Sequence, residues 1–259
     1  MKALFILLFC LLSAGCSMDI VNTPQSVPLR LQSSRTSSVQ AVTPITASDL
    51  QPGDMLLSSA TSMTSQAIRL VSMTGVSHAA IYLGDNLVAE ATGKGVGIIP
   101  LSEAIAESNN LLALRLENFS AEDASRLRDY ALARQGEKYN YKGIVMLAPF
   151  MLSRRLCELP LFYASLRHQC LSMLASVQMA EDETSTSFFC SQFVAAAYAY
   201  AGHPLFDGQP GWLSPADLLH MRAGDVSSYR HKQSLTYVGH LKRWNVADIL
   251  GLRRQTRRA

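Results

Sequence analysis

Short apolar runs separated by turn residues dominate the chain between positions 50 and 116. Runs of this kind, bounded by Gly, Pro, Asp or Asn, are typical of β-strands. Two successive runs flank Gly84-Asp85-Asn86, and this spacing predicts a β-hairpin. The predicted strands are 55–57, 77–83, 87–91, 96–99 and 111–116.

Helical spacing of apolar residues marks other parts of the chain. Ser120, followed by Asp123, resembles a helix N-cap, and Gly136 is a suitable end for that helix. Further along, Phe193 and Ala197 fall on one face of a predicted helix. The predicted helices are 65–73, 120–135, about 188–201 and about 215–223.

The N-terminus has the pattern of a bacterial secretory signal. Lys2 precedes an apolar run at 3–12, and the small residues Ser-Ala-Gly stand directly before Cys16. The run is too short for a membrane-spanning helix, which needs about 20 residues. A Cys at this point resembles the acylated Cys of bacterial lipoproteins, with an ordinary cleaved signal as the alternative. We therefore expect a signal peptide over 1–15, lipid on Cys16 and anchoring in the cell envelope. The outer membrane is favoured because Ser17, rather than Asp, follows the Cys.

Composition divides the remaining chain into a tether and one domain. Residues 16–47 are rich in Ser, Thr, Gln, Val and Pro, which predicts a flexible, lipid-anchored tether. Residues 48–259 contain enough apolar residues for one core, with an insertion predicted at about 150–187. The net charge of +3 gives no indication of a nucleic-acid partner. We expect the basic segment 253–258 to be a solvated tail rather than a contact with anionic lipid.

Cysteine counting leaves one thiol over. Cys10 is lost with the predicted signal and Cys16 carries the predicted lipid, so three cysteines remain. Cys157 and Cys170 lie in one predicted loop and could form a disulfide in an oxidising compartment. Cys190 would then be the free thiol.

Three side chains could form a nucleophilic site. Cys190 lies at a predicted helix N-terminus, where backbone N–H groups and the helix dipole favour a thiolate. The alternative is a small, buried, unreactive side chain. His78 heads an apolar strand and could act as a base or be a structural histidine. Glu90, on the partner strand, comes out roughly across from His78 and could orient its imidazole, or it could be an exposed strand residue.

These motifs together resemble a known family. They resemble the circularly permuted NlpC-type papain-like cysteine peptidases, YiiX-like branch, in which the His strand precedes the Cys helix. The resemblance implies an α+β fold with an antiparallel sheet packed against a Cys-bearing helix. It also implies the roles of nucleophile for Cys190, base for His78 and orienting group for Glu90. The segments that carry the resemblance are SHAAIYLG at 77–84, AEA at 89–91 and FCSQFV at 189–194.

Other histidines offer an alternative base. In the unpermuted order the base would follow Cys190, and His240 is at a suitable distance, but its surroundings lack the apolar strand and Gly turn that follow His78. We therefore prefer His78. His168 has no metal-ligand pattern around it, so no metal and no cofactor are expected. The histidines that we interpret as surface residues are His203, His220 and His231.

The expected function is that of a lipid-anchored thiol hydrolase of the cell envelope. A peptidase that cleaves cell-wall or envelope peptides through an acyl-enzyme is the first choice. The alternatives are an amidase, esterase or acyltransferase on lipid-linked substrates, and a non-catalytic envelope-binding protein. The oxyanion hole would use the backbone N–H of Cys190 and a polar side chain, for which Tyr139 and Tyr141 are candidates. The apolar stretch 139–187 could wall a lipid pocket or pack a core.

Overall fold

The computed structural model describes residues 17–20, 29–32, 42–59, 74–159, 163–178 and 187–243. Four expectations fall outside these ranges: the signal peptide, the lipid on Cys16, the helix at 65–73 and the basic tail at 253–258. These four stay predictions.

An antiparallel sheet of six strands is the centre of the fold. Its strand order is β6-β5-β4-β3-β7-β8, and every neighbouring pair is antiparallel. A separate two-stranded ribbon pairs β1 with β2. The strands are β1 (Met18–Ile20), β2 (Leu29–Leu31), β3 (Met55–Ser59), β4 (His78–Gly84), β5 (Leu87–Thr92), β6 (Gly95–Pro100), β7 (Asn110–Leu116) and β8 (Leu235–Lys242).

Helices cover both faces of this sheet. They are α1 (Leu101–Glu107), α2 (Ala121–Ala133), α3 (Tyr141–Ser153), α4 (Ala164–Gln178), α5 (Cys190–Tyr200) and α6 (Pro215–His220). The longest of them, α4, has 15 residues. Among the residues that the structure describes, no helix has the length and apolar character needed to cross a bilayer.

Side chains on the two faces of the sheet belong to two separate hydrophobic clusters. Alternation along β3 sends Leu57 to one cluster and Leu56 to the other. The first cluster includes Phe193 and Val194 of α5, which are fully buried. The second includes Leu101 of α1. Packing against the sheet therefore fixes the direction of the Cys-bearing helix.

A turn at the entry to β3 holds the far end of α5. Gly53 lies in the predicted Pro-Gly-Asp turn with φ of 93°, a value that suits glycine. Its carbonyl accepts a hydrogen bond from the hydroxyl of Tyr198 on α5. The next residue, Asp54, is buried and accepts from Arg115 of β7 at 2.7 Å. This turn thus joins α5 to two central strands.

The predicted α+β class and antiparallel sheet are confirmed. The hairpin of β4 and β5 turns at Asp85 and Asn86, which both have positive φ, as a type I′ turn requires. Ser120 caps α2 by accepting from the N–H of Asp123. The prediction for α6 was too long, because that helix ends at His220. Six of the described elements were not predicted, namely α1, α3, α4, β1, β2 and β8.

The predicted insertion at about 150–187 is part of a helical pair. Its first helix, α3, begins earlier, at Tyr141, and packs against α4. A disulfide joins Cys157 to Cys170 with 5.7 Å between the Cα atoms, as the cysteine count had allowed. The helical pair is therefore a folded, cross-linked part of the domain.

The predicted flexible tether over 16–47 needs a correction in its described parts. Residues 17–20 and 29–32 contain the paired strands β1 and β2. Asp19 forms an ion pair with the buried Arg167 of α4 at 2.8 Å. Gln32 donates to the carbonyl of Val226 at 3.0 Å. Low hydrophobicity predicted a free segment, but a few specific polar contacts hold these residues on the domain.

A buried ion network ties the helical pair to α6. Arg154 follows α3 and bonds Glu158 at 2.8 Å and Asp217 at 2.9 Å, and all three side chains are at most 5% exposed. Burial raises the pKa of Asp217, but the charge of Arg154 outweighs this and holds that pKa below its ordinary value. Removing one partner would leave an uncompensated buried charge and destabilise the fold.

We predict that Arg154→Met lowers the free energy of unfolding by about 3–5 kcal/mol at pH 7, because two buried carboxylates lose their counter-ion. In the wild type, the contribution of Asp217 is present above the ordinary Asp pKa and is lost as the pH falls through the lowered folded value. In the variant, protonation of Asp217 relieves the penalty for burying its charge. The difference between the two proteins should therefore shrink in acid, as urea unfolding at neutral and acidic pH would show.

Lys232→Met is the matched control. Lys232 pairs with Asp207 at 2.8 Å, but the two side chains are 46% and 50% exposed. Such surface pairs contribute less than about 1 kcal/mol. Equal losses in the two variants would contradict a special role for the buried network.

Candidate active site

Cys190 is the first residue of α5, and its thiol is free and buried. Phe189 before it is extended, so the chain enters the helix at the thiol. The backbone N–H groups of Ala79 and Ser191 donate hydrogen bonds to its sulfur. Backbone donors and a helix N-terminus both stabilise a negative charge on sulfur.

His78 is the first residue of β4 and contacts both partners predicted for it. The strand register places Glu90 opposite Ala80, so Glu90 and His78 are diagonal neighbours on one face rather than directly opposed. Nε2 of His78 donates to Oε2 of Glu90 at 2.7 Å. The other ring nitrogen is left for Cys190, whose side chain is hydrogen-bonded to His78. The structure thus brings together the three predicted side chains.

The three groups shift one another's pKa values. Burial lowers the pKa of His78, but the thiol of Cys190 and the carboxylate of Glu90 outweigh it and raise this pKa to about 10. Burial raises the pKa of Cys190, but the hydrogen bond and charge of His78 hold it below the ordinary thiol value. Burial likewise raises the pKa of Glu90, and His78 again lowers it below the ordinary value. Between the two altered values, the pair is a thiolate beside an imidazolium.

The three side chains line a cavity of about 420 Å³. Part of its wall is polar, with Ser58, Ser77 and Glu107 besides the Cys, His and Glu. Another part is apolar and comes from the sheet, α1 and α3. The apolar lining residues are Leu56, Ala80, Ala91, Ala104, Leu111 and Ile144. The cavity can therefore hold a substrate that has both a polar and an apolar part.

The structure distinguishes the two tyrosines that were candidates for the oxyanion hole. Tyr139 forms a parallel bridge with Phe188, two residues before Cys190. Burial and the negative charge of Cys190 raise the pKa of Tyr139 above its ordinary value, which keeps its hydroxyl protonated. The hydroxyl of Tyr141 instead donates to the carbonyl of Gly93 at 3.0 Å. Of the two candidates, Tyr139 is therefore the one whose hydroxyl is shown to interact with the charge of Cys190.

The alternative base, His240, lies elsewhere. It is on β8, which β3 and β7 separate from β4 in the sheet, and it is not among the residues that line the cavity. It lies near the end of β8, which stops two residues later at Lys242, and its ring is bonded to the hydroxyl of Tyr237. Burial and nearby arginines lower its pKa to about 4.

One histidine assigned to the surface is also corrected. His220 is 4% exposed and bonds the carboxylate of Asp225 at 3.0 Å. The end of a short helix was interpreted as exposed, whereas α6 is buried throughout its length. Among the described residues, no group of three His, Cys, Asp or Glu side chains has the arrangement of a metal site.

Comparison with known proteins shows which family the chain belongs to. A family model described as a permuted papain-like amidase enzyme, YaeF/YiiX, C92 family, matches residues 49–144. The probable lipoprotein peptidase YaeF of Escherichia coli (strain K12) is 44% identical over 251 residues, which is 92% of this chain and 91% of the relative. This chain belongs to the permuted papain-like amidase family. It is accordingly a cysteine peptidase or amidase.

A crystal structure described as metalloprotein yiiX from Escherichia coli O157:H7 is also similar to this member of the family. The two are 19% identical, with a TM-score of 0.44, over 75% of this chain and 98% of that chain. The family match at 49–144 includes His78 and Glu90 but ends before Cys190. The position of Cys190 in the site therefore rests on the geometry described above.

We predict that iodoacetamide alkylates Cys190 rapidly at neutral pH, because only the thiolate reacts and the pKa of this thiol is lowered. In His78→Ala the hydrogen bond and charge of the imidazole are lost and only the backbone donors oppose burial, so this pKa should rise. Each unit of that rise lowers the rate at neutral pH about tenfold. Rates measured from acid to about pH 10 by mass spectrometry give both curves.

Convergence of the two curves at high pH is the control for access to the thiol. Cys157 and Cys170 are paired, so they do not contribute to the labelling. A wild-type rate at neutral pH no higher than that of a free cysteine peptide would contradict the thiolate. Glu90→Gln should have a smaller effect than His78→Ala, because Glu90 reaches the thiol only through the imidazole.

Proposed function

We propose that Cys190 is the nucleophile, His78 the general base and acid, and Glu90 the residue that orients the imidazole. The observation that carries this proposal is the continuous contact from thiol to imidazole to carboxylate in the wall of one cavity. A buried structural thiol does not need a histidine with a raised pKa beside it. The non-catalytic alternative is therefore disfavoured.

The arrangement supports acyl transfer in two steps. In the first, the sulfur of Cys190 attacks a carbonyl carbon, and His78 gives its proton to the leaving amine or alcohol as the carbon–nitrogen or carbon–oxygen bond breaks. A thioester on Cys190 remains. In the second, His78 takes a proton from water, whose oxygen attacks the thioester carbonyl and releases the acid. The thiolate and imidazolium are then restored.

Tyr139 is proposed to stabilise the oxygen anion that forms in each step. The backbone N–H of Cys190 lies at the helix N-terminus, where the helix itself leaves it without an acceptor, and it is the second donor. Two backbone hydrogen bonds between residues 138–140 and Phe188, at 3.0 and 3.1 Å, hold the ring of Tyr139 near the nucleophile. A raised pKa suits a hydroxyl that must donate rather than ionise.

The protein is proposed to act in the bacterial cell envelope, lipid-anchored through Cys16. Support comes from the signal pattern of residues 1–15 and from the small residues before Cys16. The relative from Escherichia coli is named a probable lipoprotein peptidase. Residues 48–259, with the helical pair as an insertion, would then be the hydrolase domain. Ser17 favours the outer membrane, with the domain facing the periplasm.

Envelope peptides are the first substrate class that we propose, and lipid-linked amides or esters are the second. The compartment and the name of the relative favour peptides. The apolar wall formed by Leu111 and Ile144 favours an acyl or lipid-linked part in the substrate. Both classes use the same thioester chemistry at Cys190, so the identity of the trapped acyl group distinguishes them.

We predict that Cys190→Ser, incubated with a bacterial envelope extract, accumulates an ester on residue 190, because an oxygen ester is deacylated more slowly by this site. Mass spectrometry of the active-site peptide gives the mass of the adduct. A peptide adduct supports the peptidase, and a fatty-acyl adduct supports the lipid-linked alternative. Cys190→Ala is the control, and an adduct of equal yield there would contradict covalent catalysis at this residue.

We predict that Tyr139→Phe lowers kcat by about 10²–10³ fold, the effect of removing one oxyanion donor. The alkylation rate of Cys190 at neutral pH should stay within a few fold of the wild type, since the thiolate partners remain. Tyr141→Phe is the matched control, because the hydroxyl of Tyr141 bonds Gly93 instead. A parallel loss of kcat and alkylation in Tyr139→Phe would indicate a structural role for its hydroxyl.

A further inference from the structure

The helical pair α3 and α4 exposes a large apolar surface, here called the outer face. Its residues are 39–80% exposed. Large exposed apolar patches on a folded domain mark sites that bind a membrane or another protein. The residues of the outer face are Tyr141, Val145, Leu152, Leu156, Tyr163, Leu166, Met173 and Val177.

The outer face follows the geometry of the two helices. Tyr141, Val145 and Leu152 recur at helical spacing along one side of α3, while Phe150 on the other side is fully buried. On α4, Met173 lies on the exposed side and Leu171 on the buried side. A helix that packs on one side and faces water on the other is normally polar on the second side. Both helices depart from this rule.

Charge on the outer face suits a lipid surface. Between residues 141 and 178 the sequence has one acidic residue, Glu158. Glu158 is 5% exposed and bonds Arg154 and Ser228, so it adds no negative charge to the surface. Lys142 is exposed on α3 beside the apolar residues. The polar neighbours on α4 are neutral, as at Ser165 and Gln169. Nothing in this face repels anionic phospholipid.

The first described residues of the chain contact the same helical pair. Asp19 is paired with Arg167 of α4 at 2.8 Å. Ser17 is buried, and its carbonyl accepts from the N–H of Gln32 at 2.8 Å. Cys16 directly precedes Ser17 in the chain, and consecutive Cα atoms are about 3.8 Å apart. The residue that would carry the lipid is therefore joined to a fixed point near α4, without a long linker.

We propose that the outer face is a membrane-docking surface, which lays α3 and α4 on the lipid bilayer that holds the acyl chains of Cys16. This inference rests on the lipid anchor of the proposed function. Acyl chains bind the protein to the bilayer, and the apolar side chains then enter its interfacial region, as in amphipathic helices that lie on membranes. Tyr141 belongs to both the outer face and the lining of the cavity. Docking therefore brings the opening of the active site to the lipid surface.

Quenching of tryptophan by brominated lipid tests the proposal on the full-length, processed protein. The protein is reconstituted in vesicles of phosphatidylethanolamine and phosphatidylglycerol with brominated acyl chains. Val145→Trp and Met173→Trp place the probe on the outer face. Leu132→Trp is the control, since Leu132 is 47% exposed on α2, outside the helical pair. After subtraction of the signal of the parent protein, we expect at least twofold stronger quenching at 145 and 173 than at 132.

The outcomes separate the docking surface from the lipid anchor. The mass of the N-terminal peptide shows whether Cys16 is acylated. An unmodified Cys16 overturns the anchor and this proposal with it. An acylated Cys16 with equal quenching at all three probes overturns only the docking surface. A dimer in detergent that Val145→Glu converts to a monomer would also overturn it, because a second copy would then cover the outer face.

Discussion

The meeting of the N-terminus of α5 with the first residue of β4 is the contact on which the chemistry depends. It joins Cys190 to His78 across more than a hundred residues of sequence, so neither local segment can form it alone. Burial of Phe193 and Val194 stabilises the packing of α5 on the sheet. The hydrogen bond from Tyr198 to Gly53 holds the far end of the helix. The thiol is therefore placed by packing remote from the site. This explains how a charged pair can persist there although burial disfavours both ions.

Opposing effects decide the charge state of the site. Burial alone would leave a neutral thiol and a neutral imidazole, which would make Cys190 a poor nucleophile. The backbone donors of Ala79 and Ser191 and the carboxylate of Glu90 act in the other direction, because each stabilises one member of the pair only when it is charged. Glu90 lies on a neighbouring strand, so the sheet register sets its distance from the ring. The same antiparallel hairpin that contributes to the core thus also holds His78, the proposed base.

Much of this arrangement could be predicted from sequence, because its signals are local. A Gly-Asp-Asn turn between apolar runs indicated the hairpin, and a Ser-x-x-Asp cap indicated α2. The Cys, His and Glu side chains followed from these elements together with the family resemblance. The diagonal relation of His78 and Glu90 could not be predicted, because it depends on the turn register and the bulge at Gly84.

Other features were missed for different reasons. Strand β8 was missed because its polar residues hide the alternation of apolar and polar positions. The contact of Asp19 with Arg167 was missed because it joins residues 148 positions apart in the sequence. Tyr139 could be chosen over Tyr141 only once the bridge to Phe188 was known.

The start of α3 links the site to the rest of the helical pair. Asn140 caps α3 by accepting from the N–H of Gly143, and its side-chain amide also donates to Gln192 of α5 at 3.3 Å. Its neighbours on either side both line the cavity, but Tyr139 is half-buried whereas Tyr141 is largely exposed. Three successive residues therefore connect helix α5, the cavity and the protein surface. Because Tyr139 and α3 belong to one continuous backbone segment bonded to Phe188, a shift of α3 would also move Tyr139, the proposed oxyanion donor. For this reason we regard the helical pair as part of the catalytic unit rather than as an addition to it.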